Sequence, residues 1–313
     1  MVVDVAAPRV GSRADDGALG ASALALVNLQ RLMARSSGGA RVRVALLDGP
    51  VSASHPDLAG AELHAVDRYS DAVCTRDRSG ACAHGTFIAG ILAAKRQSRA
   101  PGICPDCPLL VRPIFRETTS NGRIPTATPD EVARAITESV AAGAQVLNLS
   151  AATGEPSTRT ERALQEALDY AARRGVVVVA AAGNQATLGS SVITRHPWVI
   201  PVVAYDRRGR PMTASNLGTS VGRRGLGAPG EGIESLGPEG GTRMGGGTSS
   251  AAAFVTGATA LLFSIYPEAS ATTLKWAITN GGSRRSVTPP LLNADAALEA
   301  MERTFGWRGS RDG

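Results

Sequence analysis

Val176-Val177-Val178-Val179-Ala180-Ala181 runs straight into Ala182-Gly183-Asn184. An unbroken apolar run of this length, preceded by Gly175, reads as a strand buried on both faces, the kind found inside a parallel sheet. Outward from it the pattern alternates. Residues 157–174 read as a helix before it, and residues 199–204 as a second apolar strand after it. Further strands are expected at 42–47, 109–114 and 145–149. Further helices are expected at 16–36, 84–94, 129–142 (with Asp130 and Glu131 in its first turn), 249–263, 271–278 and 294–301. Strands alternating with helices of this length predict one α/β domain, a doubly wound, mostly parallel sheet with helices on both faces. It is expected to span residues 16–304, between a loose tail at 1–15 and a short tail at 305–313.

Composition narrows the function. The 313 residues are 43% hydrophobic and 19% charged, which excludes a disordered chain, and only 12 are aromatic, so the core is built from Ala, Val and Leu. No run of 18 apolar residues occurs, so no membrane partner is expected. The net charge is +6, yet only Lys95 and Lys275 are lysines and the 31 arginines are scattered. Without a basic run or interleaved aromatics, nucleic acid is not expected as a partner either.

Four residues stand where ligands of open parallel sheets bind, at the carboxyl ends of strands or the starts of helices. Asp48 ends the strand 42–47, before Gly49-Pro50; its bland reading is a turn former. His84 opens the helix of 84–94, which puts its ring on an accessible loop-to-helix edge. Asn184 ends the 176–181 strand. Ser249 lies in Gly245-Gly246-Gly247-Thr248-Ser249-Ser250-Ala251, where a serine is commonly only a helix cap. A phosphate loop is excluded there, because Gly247 occupies the place of its lysine. Together the four fit a nucleophile with its base, orienting carboxylate and oxyanion donor.

Those stretches resemble the subtilisin-like serine peptidases, in the family's order. They are Leu47-Asp48-Gly49 with His55-Pro56-Asp57-Leu58 behind it, His84-Gly85-Thr86-Phe87-Ile88-Ala89-Gly90, Ala181-Ala182-Gly183-Asn184, and Gly247-Thr248-Ser249-Ser250-Ala251. The resemblance implies a subtilisin-like three-layer sandwich. It implies Ser249 as nucleophile, His84 as base and then acid, and Asp48 as the holder of the imidazole. Asn184 and the Ser249 amide would form the oxyanion hole, and His55 would be structural. It further implies a peptide substrate added as a strand to Leu149, Ser150, Ala151 and Ala152, with Ala181, Ala182 and Gly183 lining the pocket and 191–194 its floor. No cofactor is implied. The calcium site of ordinary subtilisins is not expected, because residues 94–102 lack Asp and Glu.

A closer likeness is to the peptidases that mature cyanobactin-type ribosomal peptides, carried by Leu47-Asp48-Gly49-Pro50-Val51, by Val111-Arg112-Pro113-Ile114-Phe115 and by Cys107. It implies cleavage of a leader or recognition sequence from a precursor peptide; a general degradative protease and an inactive peptide-binding fold are the alternatives. His84 follows Asp48 by only 36 positions. That is too few for the helical cap of the family's macrocyclases, so hydrolysis is expected. The chain departs from the family at Ala253, where Pro is usual, at Ser150-Ala151-Ala152, and at Ser250 in place of Met. Cys74, Cys82, Cys104 and Cys107 flank His84. One or two disulfides are expected among them, with a four-cysteine zinc site and free thiols as alternatives and no other metal. The opening residues carry no basic start with an apolar stretch, so a cytoplasmic enzyme is expected.

Overall fold

A computed structural model describes residues 23–66, 72–76, 79–117, 127–151, 158–279 and 286–306. The tail at 1–15, the expected helix start at 16–22, Ala152, Ser157 and residues 307–313 lie outside the described residues. Seven strands are named here in chain order: β1 Val44–Asp48, β2 Leu63–Ala65, β3 Leu109–Pro113, β4 Val146–Leu149, β5 Val177–Ala181, β6 Val199–Tyr205 and β7 Leu226–Pro229. They form one sheet in the order β2-β3-β1-β4-β5-β6-β7, every pair parallel.

Side-chain alternation along these strands builds two cores. Val44, Leu46, Val177 and Val179 face one layer, where helices Gly80–Ala93 (α1), Thr248–Ile265 (α2), Ala271–Thr279 and Ala294–Phe305 pack. Ala45, Leu47, Val178 and Ala180 face the other, covered by helices Pro129–Ala141 and Thr158–Arg173. Helix α1 enters β3 on one layer and Pro129–Ala141 leaves it on the other. The crevice of this switch opens at the carboxyl end of β1, where Asp48 sits. Helix Pro129–Ala141 starts where its residues dictate: Pro129 at the first position, and Thr128 accepting from the Glu131 amide.

The structure corrects several expectations. Helix α1 begins at Gly80, so His84 lies in its second turn, buried rather than on an accessible edge. Gly80-Ala81-Cys82-Ala83 carries no periodic signal; packing against β1 winds it into helix. The helix expected over 16–36 is interrupted within the described residues. Asn28 takes a left-handed φ of 51°, and a new helix starts at Gln30. An antiparallel hairpin, Ile233–Leu236 with Thr242–Gly245, was not read from the sequence at all. By length and composition α2 could cross a membrane, yet 89% of it is buried, which makes it a core helix.

Candidate active site

Asp48 is the last residue of β1, with no exposed surface. Its Oδ1 accepts from His84 Nδ1 at 2.6 Å and from the Gly49 amide at 2.6 Å. A carboxylate oxygen only accepts, so His84 carries its proton on Nδ1 and leaves Nε2 as the base. Asp48 Oδ2 is buried without a hydrogen-bond partner among the described residues. The Asp48 carbonyl accepts from the Ile114 and Phe115 amides, at 2.7 and 3.1 Å. The Phe115 ring stands edge-on to the His84 ring, with centroids 6.5 Å apart.

Two glycines let strand and helix meet this closely. A Cβ on Gly49 would lie 2.0 Å from the Ala81 carbonyl oxygen. A Cβ on Gly85 would lie 2.4 Å from the carbonyl oxygens of Gly49 and Pro50. His55 ties the segment after β1 to the hairpin: its Nδ1 accepts from the Asp57 amide, so its Nε2 donates to the Gly241 carbonyl at 2.9 Å.

Ser249 is the second residue of α2 and is buried. Its amide, in the first helical turn, has no intrahelical acceptor and lies at the positive end of the helix dipole. Asn184 is tied to this helix start. Its Oδ1 accepts from the Thr248 amide at 3.0 Å, leaving the Nδ2 protons to donate elsewhere. Thr248 Oγ1 in turn accepts from the Gly183 amide at 3.2 Å. Gly247, at φ 97°, admits the Asn184 amide group 3.1 Å from where its Cβ would stand. Helix α1 packs along α2. The structure joins Asp48 to His84 and Asn184 to the Ser249 helix. Ser249 Oγ forms no hydrogen bond with His84 among the described residues, and in ligand-free sites that bond is often long and tightens when substrate binds.

Leu149 is corrected as a peptide-pairing residue. It is laddered to Leu47 on one side and Ala180 on the other, so its backbone is already paired within the sheet. Ser150 and Ala151 follow it, buried, with the Ser150 amide on the Leu47 carbonyl; Ala152 lies outside the described residues. Ala181 closes β5, Ala182 is buried and Gly183 adopts φ 104°. Residues 191–194 form a capping box and short helix, with Val192, Ile193 and Thr194 buried.

Cys74 and Cys82 form a disulfide, with Cα atoms 5.5 Å apart, that ties residues 72–76 to α1 two positions before His84. This rules out a four-cysteine zinc site. Glu117 lies beside the pair, but its carboxylate is taken by the Thr75 amide and hydroxyl and the Arg76 amide. Cys104 and Cys107 remain buried thiols. The Cys104 thiol donates to Cys107; this and burial push Cys104 well up, while the same bond holds Cys107 down.

Sequence reasoning missed three supporting residues. Thr256 on α2 donates to Asn148 Oδ1 at 2.9 Å, and Asn148 Nδ2 donates to Ser150 Oγ at 3.3 Å. Asn216 grips the loop around Asn184. Such hydrogen-bonded polar residues follow no period in the sequence; only their partners reveal them.

This arrangement has the parts of nucleophilic acyl transfer, and the comparisons with known proteins agree. Residues 39–307 match the subtilase family (Peptidase S8), and the chain belongs to it. It is a serine endopeptidase of the subtilisin type, acting on peptides. Subtilisin DY of Bacillus licheniformis is 31% identical over 286 residues, 88% of this chain and 97% of that one. Against subtilisin E of Bacillus subtilis (strain 168) the identity is 30% over 73% of this chain, which spans only 57% of that protein. Among solved structures, a variant of the protease domain of PatA is 31% identical, covering 86% of this chain and 98% of that one, with a TM-score of 0.75. The prenylagaramide maturation protease PagA is 28% identical over 87% of this chain and 98% of that one, also with a TM-score of 0.75. The macrocyclase PatG, 20% identical with a TM-score of 0.77 over 90% of this chain and 96% of that one, shares the fold.

Proposed function

We propose that this chain cleaves the leader or recognition sequence of a ribosomally made precursor peptide, with Ser249, His84 and Asp48 as triad and Asn184 as oxyanion donor. The buried 2.6 Å contact from His84 Nδ1 to Asp48 Oδ1 carries the reading, because it fixes the tautomer that a base needs. Ser249 Oγ attacks the scissile carbonyl carbon while its proton passes to His84 Nε2. The carbonyl oxygen becomes an oxyanion that receives hydrogen bonds from Asn184 Nδ2 and the Ser249 amide. The C–N bond then breaks, and the leaving amine takes the proton back from His84. Water then gives a proton to Nε2 and attacks the acyl carbon; the bond from that carbon to Ser249 Oγ breaks, Oγ takes the proton from Nε2, and the acid is released.

The choice of a precursor peptide rests on the likeness to PatA and PagA, the second of which is by name a maturation protease. Hydrolysis rather than ring closure rests on the short interval between Asp48 and His84. Incubation with a precursor peptide and with casein tests both points by mass spectrometry. Selective release of a linear core peptide, lost in Ser249→Ala, is expected. Equal cleavage of casein would favour general degradation, and a cyclic product would overturn the hydrolytic reading. The proposed location is the cytoplasm. The Cys74–Cys82 disulfide supplies the test, since disulfides persist in oxidising compartments. Trapping thiols in intact cells decides: a fully reduced pair supports the cytoplasm, and an oxidised pair refutes it.

A further inference from the structure

Asn184 sits on a loop whose backbone is held out of its relaxed shape. Gly183 lies at φ 104° and Ala186 at φ 53°, a left-handed conformation that an alanine rarely adopts. Such a loop keeps one shape only where its surroundings over-determine it. On the inner side Thr248 takes the Gly183 amide. On the outer side Asn216 makes five hydrogen bonds to the loop among the described residues. Asn216 Nδ2 donates to the Ala182 carbonyl at 3.1 Å and to Gln185 Oε1 at 2.7 Å. Asn216 Oδ1 accepts from the amides of Gln185 at 2.9 Å and Thr187 at 3.2 Å. The Asn216 amide donates to the Gly183 carbonyl at 2.8 Å, and the flanking Ala186 amide reaches Ala214. These bonds hold the residues on both sides of Asn184, and the Asn184 carboxamide itself is left to the helix start.

We propose that Asn216 is a positioning residue for oxyanion stabilisation: by gripping residues 182–187 it sets where Asn184 Nδ2 points. The proposal rests on the assignment of Asn184 as the oxyanion donor. An oxyanion donor acts only within hydrogen-bond reach of the developing charge, so a slack loop lowers kcat and leaves substrate binding nearly intact. A neutral side chain with both a donor and an acceptor end is needed. Leucine or aspartate at 216 would lose one half of the grip or both.

A double-mutant cycle on a chromogenic peptide anilide tests this. Asn216→Ala is expected to lower kcat about 10- to 100-fold with KM within about twofold. This is less than the about 10²–10³-fold loss for Asn184→Ala, a range taken over from subtilisin itself. Because Asn216 acts through Asn184, the double variant is expected to be no slower than Asn184→Ala alone. If Asn216→Ala folds poorly, the same cycle is run with Asn216→Asp, which keeps the acceptor for the Gln185 and Thr187 amides and loses the donor to Ala182 and Gln185, with the same split between kcat and KM expected. An Asn216→Ala enzyme at wild-type kcat, or losses that multiply in the double variant, would overturn the positioning role. An Asn184→Ala enzyme as fast as wild type would instead overturn the oxyanion assignment, and the proposal with it.

Discussion

Replacing Gly49 by alanine tests how the Asp48–His84 contact is built. The new Cβ would stand 2.0 Å from the Ala81 carbonyl oxygen, where real Cβ contacts essentially never fall below 3.0 Å, so strand and helix must part by about 1 Å. Both atoms are backbone or fixed to it, so no side chain can swing aside. Ala81 precedes His84 by three positions on α1 and shares its face. If α1 moves as a body, the Nδ1–Oδ1 separation of 2.6 Å stretches to about 3.6 Å, beyond a hydrogen bond. A misplacement of about 1 Å in a catalytic group costs on the order of 10²-fold in rate, and overpacking a core costs about 1–3 kcal/mol in stability. The assay is kcat/KM on a peptide substrate alongside thermal unfolding. Gly39→Ala is the control, since its Cβ meets nothing closer than 3.8 Å. The expected result is a folded Gly49→Ala enzyme about 10²-fold slower, with Gly39→Ala unchanged. A Gly49→Ala enzyme of wild-type rate would refute the idea that this backbone contact sets the catalytic distance.

Reducing or removing the Cys74–Cys82 bond, which joins residues 8 apart, is expected to lower stability by about 2–3 kcal/mol, read as a lower melting temperature for Cys74→Ser/Cys82→Ser. An unchanged melting temperature would contradict this. Lys275, pushed down to about 8 by burial and then by Arg224, holds its charge less readily folded than unfolded. Its unfolded form therefore binds more protons between about pH 8 and the ordinary lysine value of 10.5. The stability of wild type relative to Lys275→Met is expected to rise across that window, and a difference flat with pH would refute the shift.

The sheet was legible because its central strands are unbroken apolar runs. Val177–Ala181 and Val199–Tyr205 lie within a residue of where the sequence puts them. The candidate catalytic residues were legible through local signatures: Asp48 before Gly49-Pro50, and Ser249 after three glycines. What the sequence hid depends on contacts between distant segments. The extra turn that buries His84 forms against β1, and Leu149 lost its expected role because β4 is laddered on both sides. Asn216 lies in a polar stretch with no period, and its meaning is visible only when the loop around Asn184 folds against it. The cysteine spacing left the pairing open, and the three-dimensional path alone joins Cys74 to Cys82.

The central claim is that Ser249 is a nucleophile activated by His84. Fluorophosphonate labelling followed by peptide mapping tests it most directly. One label per chain on Ser249, abolished in Ser249→Ala and strongly slowed in His84→Ala, is the predicted result. A folded wild-type protein that takes no label, or one labelled equally well without Ser249, would contradict it.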